Sequence, residues 1–266
     1  MLTIRTHLSA LLSAVSFSLA LAACSGGAGD PFAKVTPNPL GTGHRISQIS
    51  NPGAATYAAN GSIVNVSSAS VTWLDTFDET SNGKSKGTLY IQDVGSKAPF
   101  SGMSLYKQTL VPANETATPG DVFNLSGTFS LQTSVGSAVF GPGQYLVQIS
   151  NPTCTFEYEY AVPDPVEIPV TDLGVDFNTG LKWTSMLVKL TNVTLGAGIL
   201  SSSGRVTYSV QGAGNNPPDI ANELYNLGAS DYPAGTVFSS ITGIVTWFEG
   251  YEIAPRSAAD LVVAPQ

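Results

Sequence analysis

Hydrophobic and polar residues alternate most regularly in the last third of the chain. β-Branched and aromatic side chains dominate residues 234–247 and 251–261, and this pattern predicts two strands. Glu249 and Gly250 lie between them and predict a tight turn, in which glycine supplies the positive φ that a short hairpin needs. The segment therefore predicts a β-hairpin.

A weaker copy of this pattern lies upstream, at residues 120–129. The aligned pairs are Gly120 with Gly235, Val122 with Val237 and Phe123 with Phe238, each 115 positions apart (235 − 120), and Gly127 with Gly243, 116 positions apart (243 − 127). One inserted residue in a strand is what a β-bulge contains, and a bulge at Ser239 and Ser240 keeps the same face inward in both copies. The predicted inward faces are Phe123, Leu125, Gly127, Phe129 and Leu131 in the first copy and Phe238, Ile241, Gly243, Val245 and Trp247 in the second. The pattern indicates a tandem duplication.

Each copy is predicted to contain five strands. In the first copy these are residues 61–74 with a bend at Ser67 and Ser68, 87–94, 102–107, the strand that follows Gly120, and 144–150. In the second copy they are residues 183–195, 204–211, 221–227, the strand that follows Gly235, and the strand that begins at Tyr251, with a short turn at residues 217–222. Pro163, Pro165 and Pro169 lie in an acidic connection that predicts a boundary between domains at residues 45–160 and 161–266.

A bent first strand and a glycine in the fourth of five strands are typical of a small Greek-key barrel of the OB type. Residues 87–93 and 241–261 also resemble OB-fold modules of secreted bacterial proteins, which occur beside extracellular nuclease and phosphoesterase domains and as tandem pairs in surface lipoproteins. We therefore expect an all-β fold of two tandem five-stranded OB-like barrels. Immunoglobulin-like β-sandwiches are the alternative, because short strands with turn signals fit them too.

The amino-terminal residues 1–23 have the layout of a secretory leader, with Arg5 before an apolar run and then small residues. They end in Leu21-Ala22-Ala23-Cys24, which resembles the lipobox of bacterial lipoproteins. The resemblance implies acyl chains such as palmitate on Cys24, a membrane anchor, and, with Ser25 next, a place in the outer membrane of the cell envelope. An ordinary signal peptide is the alternative. Residues 24–44 are rich in glycine and proline and predict a flexible tether.

Composition and charge restrict the function. The 266 residues are 42% hydrophobic and 11% charged, with a formal net charge of -8, so a packed β protein is favoured over disorder and general nucleic-acid binding is disfavoured. His44 is the one histidine outside the leader, and it lies at the edge of the tether, where it is a poor general base. Cys154 is expected to be a small buried hydrophobe in a strand. We therefore predict no enzyme activity and no cofactor other than the lipid.

Two groups of side chains are candidate sites. The outer face of strands two and three is the usual ligand face of OB barrels, and in the first copy it holds Tyr90 and Tyr106. A half-buried position in the barrel is the favoured interpretation of both tyrosines, and stacking on a ligand is the alternative. Lysines surround this face, namely Lys84, Lys86, Lys97 and Lys107. Carboxylates form two runs, Asp75, Asp78 and Glu79 in one and Asp164, Glu167, Asp172 and Asp176 in the other. Their spacing does not match a calcium loop, so solvated acids are favoured over a Ca²⁺ site. Arg256 and Asp260 predict a local ion pair.

Two functions follow as hypotheses. The first is a non-catalytic, lipid-anchored envelope protein that serves as a binding or scaffolding module for an envelope protein or a glycan. The alternative is an accessory OB module that presents single-stranded nucleic acid or a phosphorylated polymer to a separate hydrolase, through the lysine-rich face of Tyr90 and Tyr106. An autonomous hydrolase ranks third because the chain has so few groups for acid-base chemistry.

Overall fold

The computed structural model describes residues 43–77, 88–106, 117–135 and 138–265. These residues belong to one compact unit, which extends over residues 37–266. Strands hold 47% of them and helices only 9%, so the predicted all-β class is confirmed. Within these ranges no helix has the length and apolar character that a membrane crossing requires. Cys24 and the predicted leader lie outside the described residues.

Five strands in the first half close into a barrel. The strands of this half are β1 Ile63–Leu74, β2 Thr88–Asp93, β3 Gly102–Tyr106, β4 Asp121–Gln132, β5 Ser134–Val135, β6 Ala138–Val139 and β7 Leu146–Glu159. The barrel order is β1-β2-β3-β7-β4, while β5 and β6 form a separate small hairpin. Within the barrel β3 and β7 run parallel, and the other neighbouring strands run antiparallel.

The second half repeats this order. Its strands are β8 Val166–Glu167, β9 Leu187–Leu200, β10 Val206–Val210, β11 Asp219–Ala221, β12 Val237–Trp247, β13 Tyr251–Ala254 and β14 Leu261–Val263. They form one sheet in which β12 also pairs with β9, so that β9-β10-β11-β13-β12 is a ring. Its parallel pair, β11 with β13, occupies the same place in the order as β3 with β7. β8 and β14 are added at the edges of the sheet.

The predicted bend and bulge explain the one-residue difference between the copies. β1 bends at Ser67 and Ser68, where Ser68 has φ 58° and the register with β4 shifts by one residue. In the second half β9 bends in the same way at Asn192, with φ 53°, but the register with β12 does not shift. The reason is that β12 contains one additional residue, at Ser239 and Ser240. At this point in both β9 and β12, consecutive inward-facing residues are therefore three positions apart instead of two.

The predicted inward faces of β4 and β12 are buried or half-buried. Gly127 and Gly243 lie at matching points of the two rings, each against an isoleucine of the last strand. A Cβ on Gly243 would approach Ile253 Cγ2 to 2.6 Å, and a Cβ on Gly127 would meet Ile149 Cγ2 even more closely. The glycines therefore allow the fourth and fifth strands of each ring to approach.

Three predictions about local structure need correction. The third strand of the second half is Asp219–Ala221, where a turn was expected. Residues 222–227 are not a strand, because the Asn222 side chain turns inward and its Oδ1 accepts a hydrogen bond from Val206 N at 2.9 Å. The turn after β12 has its positive φ at Glu249 (62°) and not at Gly250. Short helices also occur where no helix was expected, and they are α1 Ile46–Ser50, α2 Thr171–Gly174 and α3 Phe177–Leu181. Each spans a single turn or little more, which is too short to leave a helical period in the sequence.

Each ring encloses its own hydrophobic core, and a third cluster joins the two halves. The third cluster consists of Tyr90, Leu187, Leu224, Ile244 and Ala254. Beside it, the buried side-chain oxygen of Gln92 accepts a hydrogen bond from Leu187 N at 3.1 Å. The predicted domain boundary at residues 160 and 161 falls between β7 and β8. The two halves are thus in direct contact through the outer faces of β2, β12 and β13.

Candidate ligand-binding site

A cleft of about 620 Å³ lies on the outer face of the second ring. Thr207 of β10, Asp219 of β11 and Glu252 of β13 form its floor. The connection between β9 and β10 contributes Arg205, and the turn between β12 and β13 contributes Phe248. Further lining comes from the ends of β9 and β12, from α2 and α3, from the connection between β10 and β11 and, in the first half, from the connection between β6 and β7. The cleft therefore lies over strands two, three and five of its ring, beside the connections at their ends.

Strand alternation places the floor residues. Val206, Tyr208 and Val210 of β10 are buried in the second core, so Thr207 between them faces outward. On β13, Tyr251 and Ile253 belong to the core, and Glu252 therefore faces outward. Since β11 and β13 are parallel neighbours and Asp219 pairs with Glu252, the two carboxylates stand side by side.

Arg205 is held by the carboxylates around it. Its guanidinium group donates a hydrogen bond to Glu252 and forms an ion pair with it, and Arg205 Nη2 lies 3.6 Å from Glu223 Oε2. The same group lies 4.8 Å from the centre of the Phe248 ring, which is a cation-π contact. Its charge is therefore balanced within the protein.

The floor has more carboxyl groups than cations. Burial raises the pKa of Glu252 to about 8, because Arg205 opposes the effect only in part and the negative charge of Glu223 adds to it. Burial also raises the pKa of Asp219, which lies near the same arginine. Arg205 is the one Lys, Arg or His among the described residues that line the cleft. The local charge is therefore neutral to negative.

Aromatic rings support one wall of the cleft. Phe140 stacks on Trp247 with ring centres 3.7 Å apart, and its edge contacts Phe177 at 5.9 Å. Phe177 in turn stacks on Tyr251 at 5.7 Å, and Tyr251 Oη donates a hydrogen bond to the Phe177 carbonyl at 2.5 Å. Phe140 comes from the segment between β6 and β7, so the first half of the chain contributes to this wall.

The predicted face of the first ring is covered in part by the second half. Tyr90 is only 5% exposed, and its hydroxyl donates to Glu223 Oε1 at 2.9 Å, so its ring does not offer an open face to a ligand. Outward direction was inferred correctly from alternation, but the second half packs against this position. Tyr106 lies diagonally from Tyr90 on the same face and is 39% exposed. Lys97 forms an exposed ion pair with Asp164 at 3.3 Å, while Lys84, Lys86 and Lys107 lie outside the described residues.

The other candidate residues have local roles. Asp172 accepts a hydrogen bond from Trp183 Nε1 at 2.8 Å, and Asp176 caps α3 by accepting from Thr179 N at 2.9 Å. Asp75 is buried, and the calcium candidates Asp78 and Glu79 lie outside the described residues. In the part of the chain that the structure describes, no group of three or more Asp, Glu, His or Cys residues is arranged to hold a metal ion.

Three further expectations concern single residues. His44 is exposed at the start of the described chain. Cys154 is half-buried on β7 and packs against the first core. The predicted pair of Arg256 and Asp260 forms, with two side-chain hydrogen bonds of 2.9 Å each.

Sequence reasoning did not single out Arg205, Asp219, Glu252 or Phe248. A charged residue between two core residues, as in Tyr251-Glu252-Ile253, was the available signal for Glu252. Asp219 was not identified because its short strand had been predicted as a turn. Comparisons of the chain with protein-family models, with curated proteins and with solved structures find no match.

Proposed function

We propose that the chain is a non-catalytic, lipid-anchored binding protein of the cell envelope, built from two OB-type barrels. The shared ring order and the matching parallel pair support the OB assignment. The observation that carries the function is the cleft over strands β10 and β11, because OB barrels bind oligonucleotides and oligosaccharides at this face and at the loops beside it.

An oligosaccharide fits this cleft better than a nucleic acid. Phosphate-backbone recognition depends on lysine and arginine side chains that neutralise phosphates, and here Arg205 is already paired with two glutamates. Thr207, Asn215 and Asn216 offer donors and acceptors for hydroxyl groups, and the half-buried ring of Phe248 offers an apolar surface for the face of a sugar. In this proposal the second barrel binds the ligand, and the first barrel supports it.

The non-catalytic part of the proposal follows from the state of the titratable groups. Glu252 is the most perturbed carboxyl of the cleft, and it is 2% exposed and bonded to Arg205. A general acid needs access to the atom that it protonates. Glu252 is therefore assigned to holding Arg205 in place.

A binding experiment tests this function. The full chain, purified from membranes in detergent, is titrated with a panel of oligosaccharides and with a single-stranded oligonucleotide at low salt. We expect saccharide binding that weakens about tenfold or more in Phe248→Ala, since stacked aromatic contacts contribute on the order of 1 kcal/mol or more. Phe156→Ala is the matched control, because Phe156 is 55% exposed on β7 of the other ring.

The same titration separates the two hypotheses. Salt-sensitive oligonucleotide binding with no saccharide binding would replace the proposal with the accessory nucleic-acid module. Binding of neither ligand class would leave the cleft without the proposed role and contradict it.

The lipid anchor needs its own test. Metabolic labelling with a palmitate analogue should mark the wild-type chain and should fail to mark Cys24→Ser, which should also leave the membrane fraction. Equal labelling of both chains would contradict lipidation at Cys24.

A further inference from the structure

The charge balance of the cleft indicates which kind of saccharide it would take, and this step rests on the proposed function. Asp219 is a half-buried carboxylate on the floor of the cleft. Across the described ranges, no hydrogen bond or ion pair involves its oxygens. Its pairing with Glu252 across neighbouring strands places it on the floor beside Glu252, near Arg205, which Glu223 and Glu252 already hold.

The rim of the cleft has the same sign of charge. Asp176 and Glu249 line the opening from α3 and from the turn after β12, and both are exposed. An anionic ligand would therefore face carboxylates at the rim and on the floor, and Arg205 already has Glu223 and Glu252 as partners. A neutral sugar that covered Asp219 could donate hydroxyl hydrogen bonds to the carboxylate, but it would leave the negative charge without a counter-charge in a partly dehydrated site, which is unfavourable.

A ligand with a primary ammonium group avoids both costs. An ammonium donates hydrogen bonds and carries the opposite charge, so it would replace the water that it displaces from Asp219. The ring of Phe248 and the amides of Asn215 and Asn216 would contact the uncharged remainder of the same sugar. We infer that the cleft binds an oligosaccharide with free amino groups, such as a glucosamine oligomer, and that Asp219 binds its ammonium group.

A pair of ligands that differ only in charge tests this inference. The full chain in detergent is titrated with glucosamine oligomers and with N-acetylglucosamine oligomers of the same length, at a pH that keeps the free amine protonated. We expect the glucosamine oligomer to bind about tenfold to a hundredfold more tightly, as one charge-assisted hydrogen bond contributes. Asp219→Asn should remove this preference by weakening binding of the glucosamine oligomer to about the level of the neutral oligomer. Asp164→Asn, at an exposed acid of the connection, is the matched control and should keep the preference.

Each other outcome has a definite meaning. Equal binding of the two oligomers would overturn the inference and leave saccharide binding in place, whereas binding of neither would overturn the proposed function as well. A preference that survives in Asp219→Asn would overturn the assignment to Asp219. A lysine oligomer of equal charge that competes as well as the glucosamine oligomer would show that charge alone is recognised, and would overturn the assignment to a sugar. Retention of the wild-type circular dichroism spectrum establishes that each variant is folded.

Discussion

Replacement of Tyr90 by phenylalanine tests how the two halves are held together. Tyr90 belongs to β2 of the first ring, and its hydroxyl donates to Glu223 of the second half at 2.9 Å. Burial raises the pKa of Tyr90 well above its usual value, so the hydroxyl stays protonated and remains a donor throughout the accessible pH range. Tyr90→Phe removes the hydroxyl group and keeps the ring that packs in the cluster between the halves.

The expected loss of stability follows from the type of hydrogen bond that Tyr90→Phe removes. A hydrogen bond to a charged acceptor contributes about 1.5–3 kcal/mol to the free energy of unfolding. The Glu223 side chain is 20% exposed and also lies near Arg205, so water and the guanidinium replace part of the lost bond. We therefore expect about 1.5 kcal/mol, which for a protein of this size lowers the Tm by roughly 3–6 °C.

Urea unfolding followed by tryptophan fluorescence measures this loss. Tyr106→Phe is the control, because Tyr106 is 39% exposed and has no hydrogen bond among the described residues, and we expect a change below about 0.5 kcal/mol. The loss from Tyr90→Phe should also shrink in a Glu223→Gln background, since a neutral acceptor forms a weaker bond. A loss from Tyr90→Phe no greater than that of the control would refute the reasoning.

Three other substitutions have predictable effects on stability. Burial raises the pKa of Glu252 to about 8, so between about pH 4.5 and pH 8 the folded chain keeps a proton that the unfolded chain releases. The contribution of this group to stability is therefore fully present below this window and is lost as the pH rises through it, and Glu252→Gln should remove that slope in urea unfolding. Gly102→Ala would place a Cβ 2.6 Å from Met186 N, where the halves meet, and should cost about 1–3 kcal/mol in thermal unfolding. Phe140→Ala should cost about 3–5 kcal/mol, because it removes a 7% exposed ring that stacks on Trp247.

Each of these substitutions has a matched control. Glu167→Gln alters an exposed glutamate and should leave the pH slope unchanged. For Gly102→Ala the control is Gly250→Ala, which adds a Cβ with no atom within 4 Å. For Phe140→Ala the control is Val139→Ala, which shortens a side chain that is 76% exposed. Both controls should change the free energy of unfolding by less than about 0.5 kcal/mol. A pH slope that persists in Glu252→Gln would mean that another group carries it, and a cost for Gly102→Ala or Phe140→Ala equal to that of its control would contradict the packing argument.

The strands that were predicted well are those with long local patterns. β4 and β12 alternate over many residues, so their inward faces and the extra residue of β12 could be inferred without coordinates. β11 was missed because three residues between a proline and an inward-turned asparagine carry almost no periodicity. Two-residue edge strands such as β8 have the same limitation. Local alternation needs several residues before it exceeds chance.

The site predicted from the sequence and the cleft of the structure lie over corresponding strands of different rings. Alternation correctly directed Tyr90 outward on strand two of the first ring, yet it carries no information about what covers that face. Arg205, Asp219 and Glu252 are distant in sequence and come together only because β11 lies beside β13. Their pKa shifts and their charge balance arise from that proximity and from burial.

The sequence by itself therefore determined the β class, the repeated strand pattern and the position of the bulge, since each depends on neighbouring residues along one strand. Only the tertiary structure decided which ring has the outer face of its second and third strands covered by the other half and which ring leaves that face exposed. That choice depends on how the second half packs against Tyr90 and leaves the face of Asp219 uncovered, and packing between segments more than a hundred residues apart leaves no periodic trace in the chain.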